Sequence, residues 1–352
     1  MKSEPNLFNL ATSELSQDAF FAWLLAWADD DHSGSVHELG RSFLNELFKR
    51  SNQPLPGGPL HVAVIRQHKH IDVFATINDG EAAIVLEDKV HAVEHGNQLD
   101  VYKKLILGDG RFKTVLCILC KTGDQSNYRT ATKAGYTVIN RPVLLELFSS
   151  EIGRQACAES EIVRSFSEHL KWIEKLTNAY ADQPFKNWDW NAWKGLYMFF
   201  QKELKDGDWQ YVPNRSEGFM GFYWHEKRVL GGSVYLQLEE SRACFKVSVD
   251  DATLKDKLKF GWNERILAAA KQLTNLTIRI VRPRKMRIGT WMTVALVDGD
   301  IRAENNGLLD LQTSLERLRE MELVLDAAVQ SEPSQLVQAL ETPKPEKSID
   351  NE

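Results

Sequence analysis

Residues 70–89 read His70-Ile71-Asp72-Val73-Phe74-Ala75-Thr76-Ile77-Asn78-Asp79-Gly80-Glu81-Ala82-Ala83-Ile84-Val85-Leu86-Glu87-Asp88-Lys89. Two β-like runs flank Asp79-Gly80, a pair that favours a two-residue hairpin turn. With those two residues as the turn, Asn78 pairs with Glu81, and paired residue numbers sum to 159. Asp72 and Glu87 satisfy that sum, so they face each other with Cβ atoms about 4.5–5.5 Å apart. Side chains alternate along a strand, so Lys89 projects to the same side as Glu87. Ile71, Val73, Ile77, Ile84, Leu86 and Val90 fall on the opposite, apolar face, while Phe74 and Val85 partly cover the acidic one. Facing carboxylates repel unless a counter-charge sits between them. Mg²⁺ or Mn²⁺ is a fitting counter-charge, because hard cations take carboxylate oxygens. On spacing alone, a plain surface pair with Lys89 as its ion-pair partner fits as well.

Outward from the hairpin, the pattern predicts a helix over 13–28, with Leu15, Ala19, Trp23 and Trp27 on one face, and a second over 36–50. Strands are expected at 61–67, 71–77, 82–90, 113–120 and 136–139. Helices are expected from Gly96 to Leu107, over 125–134, from Pro142, and over 159–181. Helix, three strands, helix, strand, helix, strand implies an α/β fold with a mixed central sheet. After Asp182-Gln183-Pro184 the pattern changes to a helix over 188–205, several short strands, and two further helices near 264–273 and 308–328. The expected organisation is a first domain over 1–181, an α+β accessory domain over 185–330, and a disordered tail over 331–352 that is rich in Pro, Ser and charge.

Composition narrows the chemistry. The 352 residues carry a formal net charge of −6, so nucleic-acid contact must come from local basic patches. Two such patches stand out: Arg66, His68, Lys69 and His70 before the hairpin, and Arg279, Arg282, Arg284, Lys285 and Arg287 in the second domain. A solvated polar turn is the plainer reading of either. No apolar run reaches the roughly 18 residues of a membrane span, and the first residues lack a signal-peptide pattern. Four cysteines in a chain of this length do not make a disulfide scaffold, and the expected location is cytoplasmic.

Ile71-Asp72, fourteen intervening residues and Glu87-Asp88-Lys89 resemble the active-site signature of the PD-(D/E)XK nuclease superfamily, with Ile71 in place of the usual proline. The resemblance covers residues 1–150 and implies a restriction-endonuclease-like α/β/α core. It also implies a metal-dependent nuclease acting on nucleic acid, DNA in the first instance, in defence or DNA processing. By the same resemblance, Asp72, Glu87 and the backbone carbonyl of Asp88 would hold Mg²⁺ or Mn²⁺, with Glu14 of the first helix contributing. Lys89 would act on the attacking water or the transition state. Gln98 and Tyr102, four apart on one helix face, match a Gln-x-x-x-Tyr pattern and would line the site. A catalytically silent nucleic-acid-binding or sensor protein that keeps the fold is the alternative. The second domain is expected to serve substrate recognition, a homodimer or a partner protein.

Two other patterns compete less well. Cys117 and Cys120 have zinc-pair spacing, but they sit in an apolar strand with no second pair. His91-Ala92-Val93-Glu94-His95 matches a metalloprotease pattern that needs a helix, whereas this segment leaves a strand. His91 is instead a candidate phosphate contact.

Overall fold

The computed structural model describes residues 6–11, 13–90, 97–214 and 218–331. The chain divides into two compact units between Thr177 and Asn178. Of the expected tail, all but Ser331 lies outside the described residues.

The first unit begins with a short helix α1 (Leu7–Leu10), then α2 (Glu14–Ala26) and α3 (Ser35–Arg50). Three strands follow, β1 (Val62–His68), β2 (Ile71–Ile77) and β3 (Ala82–Lys89), then α4 (Gln98–Leu107), β4 (Thr114–Lys121), α5 (Arg129–Lys133) and β5 (Thr137–Asn140). Helices α6 (Arg141–Ser149), α7 (Glu151–Glu159) and α8 (Glu161–Asn178) complete it. The sheet runs β1-β2-β3-β4-β5; the first three strands are antiparallel, and β3, β4 and β5 are parallel. The expected single helix over 159–181 is α8, preceded by a separate α7. Ser150 breaks α6 from α7, its Oγ accepting the Gly153 N–H at 3.0 Å.

Both sheet faces are covered. Val73, Ala75, Ile77, Ile84, Leu86 and Ile118 pack beneath α2, α3 and α6–α8. Phe74, Ala83, Val85, Cys117 and Leu119 pack beneath α4 and α5. Ile71, expected on the first face, joins the second cluster beside the β1–β2 turn. Cys117 and Cys120 belong to opposite faces of β4, as an odd spacing on a strand requires, so they cannot form one zinc pair.

The hairpin register is the expected one, from Ile77↔Ala82 to Val73↔Leu86, but the turn differs. Four residues connect the strands, with Asn78, Asp79 and Gly80 all at positive φ. The Asn78 carboxamide explains the change: its Oδ1 accepts the His61 N–H at 2.8 Å, and its Nδ2 donates to the Pro59 carbonyl. Asn78 is thereby held to the start of β1, and its carbonyl accepts the Glu81 N–H at 3.3 Å to close the turn, with the strand ladder starting only at Ile77↔Ala82. Two residues added symmetrically leave the sum at 159, so the faces do not flip.

Helix α2 turns a different face inward from the one its aromatic spacing suggests. Phe20, Phe21, Leu24, Leu25 and Ala28 are buried, whereas Leu15 is exposed and Trp23 and Trp27 are half-buried. Asp18 falls on the inward stripe, three and seven residues before Phe21 and Leu25, and is buried with them.

The second unit holds α9 (Trp190–Glu203), β6 (Asp208–Val212), β7 (Phe219–Val229), β8 (Gly232–Glu239), β9 (Arg242–Val249), α10 (Lys255–Gln272), β10 (Ile280–Val281), β11 (Trp291–Val297), β12 (Ala303–Asn305), β13 (Leu308–Asp310) and α11 (Leu311–Gln330). Its main sheet runs β10-β11-β9-β8-β7-β6, all antiparallel. Helices α9, α10 and α11 pack on one face through Leu196, Phe200, Trp262, Ile266, Leu318 and Leu325.

Close helix packing in the first unit makes one glycine indispensable. A Cβ on Gly40 of α3 would lie 2.7 Å from the Leu24 carbonyl oxygen and 2.9 Å from the Ala28 nitrogen, both backbone atoms of the α2 layer. Gly40→Ala would gain up to about 1 kcal/mol of helix propensity. Forcing the two backbones apart costs typically 1–3 kcal/mol, so the variant should be the less stable protein by urea denaturation. A midpoint equal to or above the wild type would contradict this packing.

Candidate active site

The carboxy-terminal end of β3 carries three consecutive ionisable residues, all buried: Glu87 at 1%, Asp88 at 0% and Lys89 at 8% exposure. Alternation splits them. Glu87 and Lys89 face α4, while Asp88 points into the α2 layer and is paired along the sheet with Cys120.

Lys89 is the hub. Its Nζ donates to Glu87 Oε1 at 2.6 Å and to the Asp88 carbonyl at 3.0 Å. It lies 3.7 Å from Glu14 Oε2 and 3.8 Å from Asp72 Oδ2. Gln98 Nε2 donates to the same Glu87 oxygen at 2.9 Å and lies 3.0 Å from the Tyr102 hydroxyl, so the first turns of α4 wall the site. Glu14 Oε1 accepts the Val90 N–H at 3.2 Å, and Asp72 Oδ2 accepts the Asp88 N–H at 2.9 Å. Asp72, Glu87, Lys89, Gln98, Tyr102 and Glu14 are thus one cluster drawn from α2, β2, β3 and α4. The Asp88 carbonyl is turned to Lys89, and its carboxyl lies apart in the α2 layer.

Two residues join the cluster that the spacing alone does not single out. Asp18 of α2 and Asp72 are bridged by Gln67, whose Nε2 lies 3.1 Å from Asp18 Oδ2 and 3.3 Å from Asp72 Oδ1. The available signal was Asp18's position on the true buried stripe of α2. Gln67 is placed by its left-handed φ of 54° just before the β1–β2 turn, which its sequence does not announce.

The electrostatics are dominated by desolvation. Burial and the nearby Asp72 charge push the Glu87 carboxyl up to about 7, against a lowering effect of Lys89. Burial and the Asp72 charge raise Asp18 to about 7 as well. Burial, reinforced by Asp18, Asp72 and Glu14, pushes Asp88 well above the ordinary range. Lys89 is raised: its carboxylate neighbours outweigh its burial, the largest single influence. Glu87 Oε2, Asp18 Oδ1 and both Asp88 oxygens are buried without a donor. Such atoms are costly unless something else satisfies them. A hard cation fits Asp72 and Glu87, whose oxygen donors suit Mg²⁺ or Mn²⁺ and whose mutual repulsion a positive ion would relieve.

The basic residues divide. Arg66 joins the site's edge: its Nη2 donates to the Leu15 carbonyl at 2.8 Å and lies 4.0 Å from Asp18. Lys69 and His70 form the exposed two-residue turn between β1 and β2, both at positive φ. Arg282, Arg284, Lys285 and Arg287 are exposed in the second unit between β10 and β11. His91, with the rest of the metalloprotease-like pattern, lies outside the described residues. Among those described, Asp29, Asp31 and His61 also bring possible ligand atoms within 4.8 Å of one another. They gather at the opposite end of β1 from Asp72, and Asp29 already accepts the Asp31 and Val62 N–H groups.

Comparison with known proteins agrees with this geometry. Residues 5–180 match the family model of the PD-(D/E)XK nuclease superfamily, and the chain belongs to that superfamily. Its mixed five-stranded sheet between helix layers is the restriction-endonuclease-like core, and the fold is α/β overall. No curated protein and no solved structure gives a significant match. No helix among the described residues is long and apolar enough to cross a membrane.

The raised carboxyls set a sign for pH dependence. Asp18 and Glu87 hold protons more tightly folded than unfolded, so their contribution is fully present at low pH and is lost as pH rises through about 4 to 7. In EDTA, Asp18→Asn should therefore raise the melting temperature relative to wild type more at pH 8 than at pH 5. A difference independent of pH, or of opposite sign, would show that Asp18 is not held protonated.

Proposed function

We propose that the chain is a divalent-metal-dependent nuclease that hydrolyses phosphodiester bonds, with DNA as the substrate and defence or DNA processing as the setting. Substrate and setting rest on the superfamily. The chemistry rests chiefly on one observation: a buried Glu87 oxygen with no donor beside Asp72, with one lysine shared among the acids around it.

Asp72 and Glu87 would hold Mg²⁺ or Mn²⁺, with Glu14 at hand to contribute. Bound there, the ion would lower the pKa of a water and polarise the phosphoryl oxygen. The chain's own residues supply the rest. Lys89 keeps its proton because carboxylates surround it, so its Nζ is a fixed donor for the attacking water or for charge developing on phosphorus. Gln98 fixes Glu87 Oε1 and leaves Oε2 without a donor. Tyr102 in turn fixes Gln98, so the pair orients the acid without contributing charge. Arg66 stands at the site's edge, where it would meet a substrate phosphate, whereas Lys69, exposed in the β1–β2 turn, has its charge near Asp109.

A cleavage assay on single- and double-stranded DNA with Mg²⁺ or Mn²⁺ tests this. Glu87→Ala and Lys89→Ala should each lower the rate by 100-fold or more, on the order of the loss when one catalytic group is removed. Gln98→Ala should act more weakly, because it positions Glu87. Unchanged cleavage in both Glu87→Ala and Lys89→Ala would overturn the proposal. Salt-dependent binding with no cleavage under either metal would favour the catalytically silent alternative.

A further inference from the structure

The main sheet of the second unit has one face beneath its helices and one outside the helix-packed core. On the outer face, Tyr235, Lys246 and Thr293 form a row across β8, β9 and β11, and Glu239 and Arg242 form another. Val281 of β10 and the segment 282–287 that follows it border this face and with it enclose a cleft of about 980 Å³.

Charge decides what the cleft can accept. Seven basic side chains line it against two acidic ones, in a chain whose net charge is −6. Lys246 and Arg242 at its floor pair with Glu239, and Arg279 at its edge pairs with Asp298. Arg282, Arg284, Lys285 and Arg287 are exposed, and no described carboxylate lies within ion-pair distance of them. Four unneutralised cations within six residues repel one another and concentrate positive potential. Trp291, at the start of β11, is 70% exposed at the same cleft. A large aromatic left in water beside cations that lack a carboxylate partner, of which Arg282 lies over the Phe260 ring at 5.6 Å, suits a ligand that alternates phosphate and flat base.

We propose that this cleft binds a single strand of nucleic acid, with its phosphates on Arg282, Arg284, Lys285 and Arg287 and a base stacked on Trp291. The choice of nucleic acid as the polyanion rests on the nuclease reading; the charge and the exposed indole do not. Lys246 and Arg242 are already tied to Glu239, so they deepen the potential without being the first contacts.

Fluorescence anisotropy with a labelled oligo-dT strand tests the cleft in the full chain. Glu87→Ala serves as the background, to prevent digestion. Adding Arg284→Glu with Lys285→Glu should weaken binding at least tenfold and flatten the logarithmic salt dependence by roughly 1–2. Trp291→Ala should weaken single-strand binding about tenfold, with Trp291→Phe restoring most of it and duplex binding changing far less. Unchanged affinity and salt slope in the charge-reversed variant would overturn the proposal. So would displacement of the strand by poly-glutamate as readily as by unlabelled oligo-dT, which would assign the cleft to an acidic protein. Cleavage by the wild type together with unaltered binding in the charge-reversed variant overturns this cleft alone. Binding that is lost in that variant, with no cleavage by the wild type, supports the cleft and overturns only the nuclease reading.

Discussion

The candidate site of the first unit is organised around the buried ammonium of Lys89. Lys89 ends the central strand of the sheet, and its Nζ lies within 4 Å of carboxylates from two other elements as well as its own strand. Removing charges from water costs several kcal/mol each, and their attraction repays that only with good geometry and saturated hydrogen bonds. Here saturation is incomplete, because Glu87 Oε2 and both Asp88 oxygens lack donors. One lysine cannot neutralise Glu14, Asp72 and Glu87 together. Burial and the Asp72 charge push the Glu87 carboxyl up to about 7, so it holds its proton more tightly than a free carboxyl, and a cation would compete with that proton. A ligand that binds only the folded state stabilises it by mass action, so the same excess that weakens the metal-free fold would strengthen metal binding.

Much of this was legible from residues 70–89 because strand geometry is a local rule. The register follows from a symmetric turn about Asp79-Gly80, and it survives the replacement of the two-residue turn by a four-residue one. Parity then places Glu87 and Lys89 together and sends Asp88 to the other side. The full burial of that end was not legible locally: Phe74 and Val85 indicate only partial cover, and the place of α4 over β3 was implied by the resemblance at Gln98 and Tyr102, not by any local pattern. Helix α2 illustrates the same limit. Leu15, Ala19, Trp23 and Trp27 make as good an apolar stripe as Phe21, Leu24, Leu25 and Ala28, and only packing against the sheet and α3 selects the second. Asp18 was hidden by that choice.

In the second unit most strands of the main sheet were visible from alternation, but their neighbours were not, and neither was the short pair β12–β13, with Leu308–Asp310 expected as the start of the last helix. β9 lies between β8 and β11, which are separated in sequence by α10 and the segment bearing Arg282 to Arg287. The clustering of those cations was evident as a run, whereas their meeting with Lys246 and Arg242 follows from the non-local pairing of β11 with β9. A run of cations is ordinarily a solvated turn; this run is folded against an outer sheet face with its own basic floor, which is what would give the proposed strand a defined position.

Asp88 shows why the acids around β3 form two groups with different roles. Its backbone serves the site, the N–H donating to Asp72 and the carbonyl accepting from Lys89. Its side chain serves the other face, fully buried near Asp18, with burial and neighbouring charge favouring the protonated form. Its raised pKa lessens the repulsion Asp88 would otherwise add to its neighbours Asp18, Asp72 and Glu14. Gln67 joins the two groups by touching both Asp18 and Asp72. A cation drawing Asp72 into its coordination would compete with that amide and thereby alter the environment of Asp18. Occupancy at the α4 face would in this way be felt in the α2 layer through a single side chain, which the left-handed backbone at Gln67 holds in place.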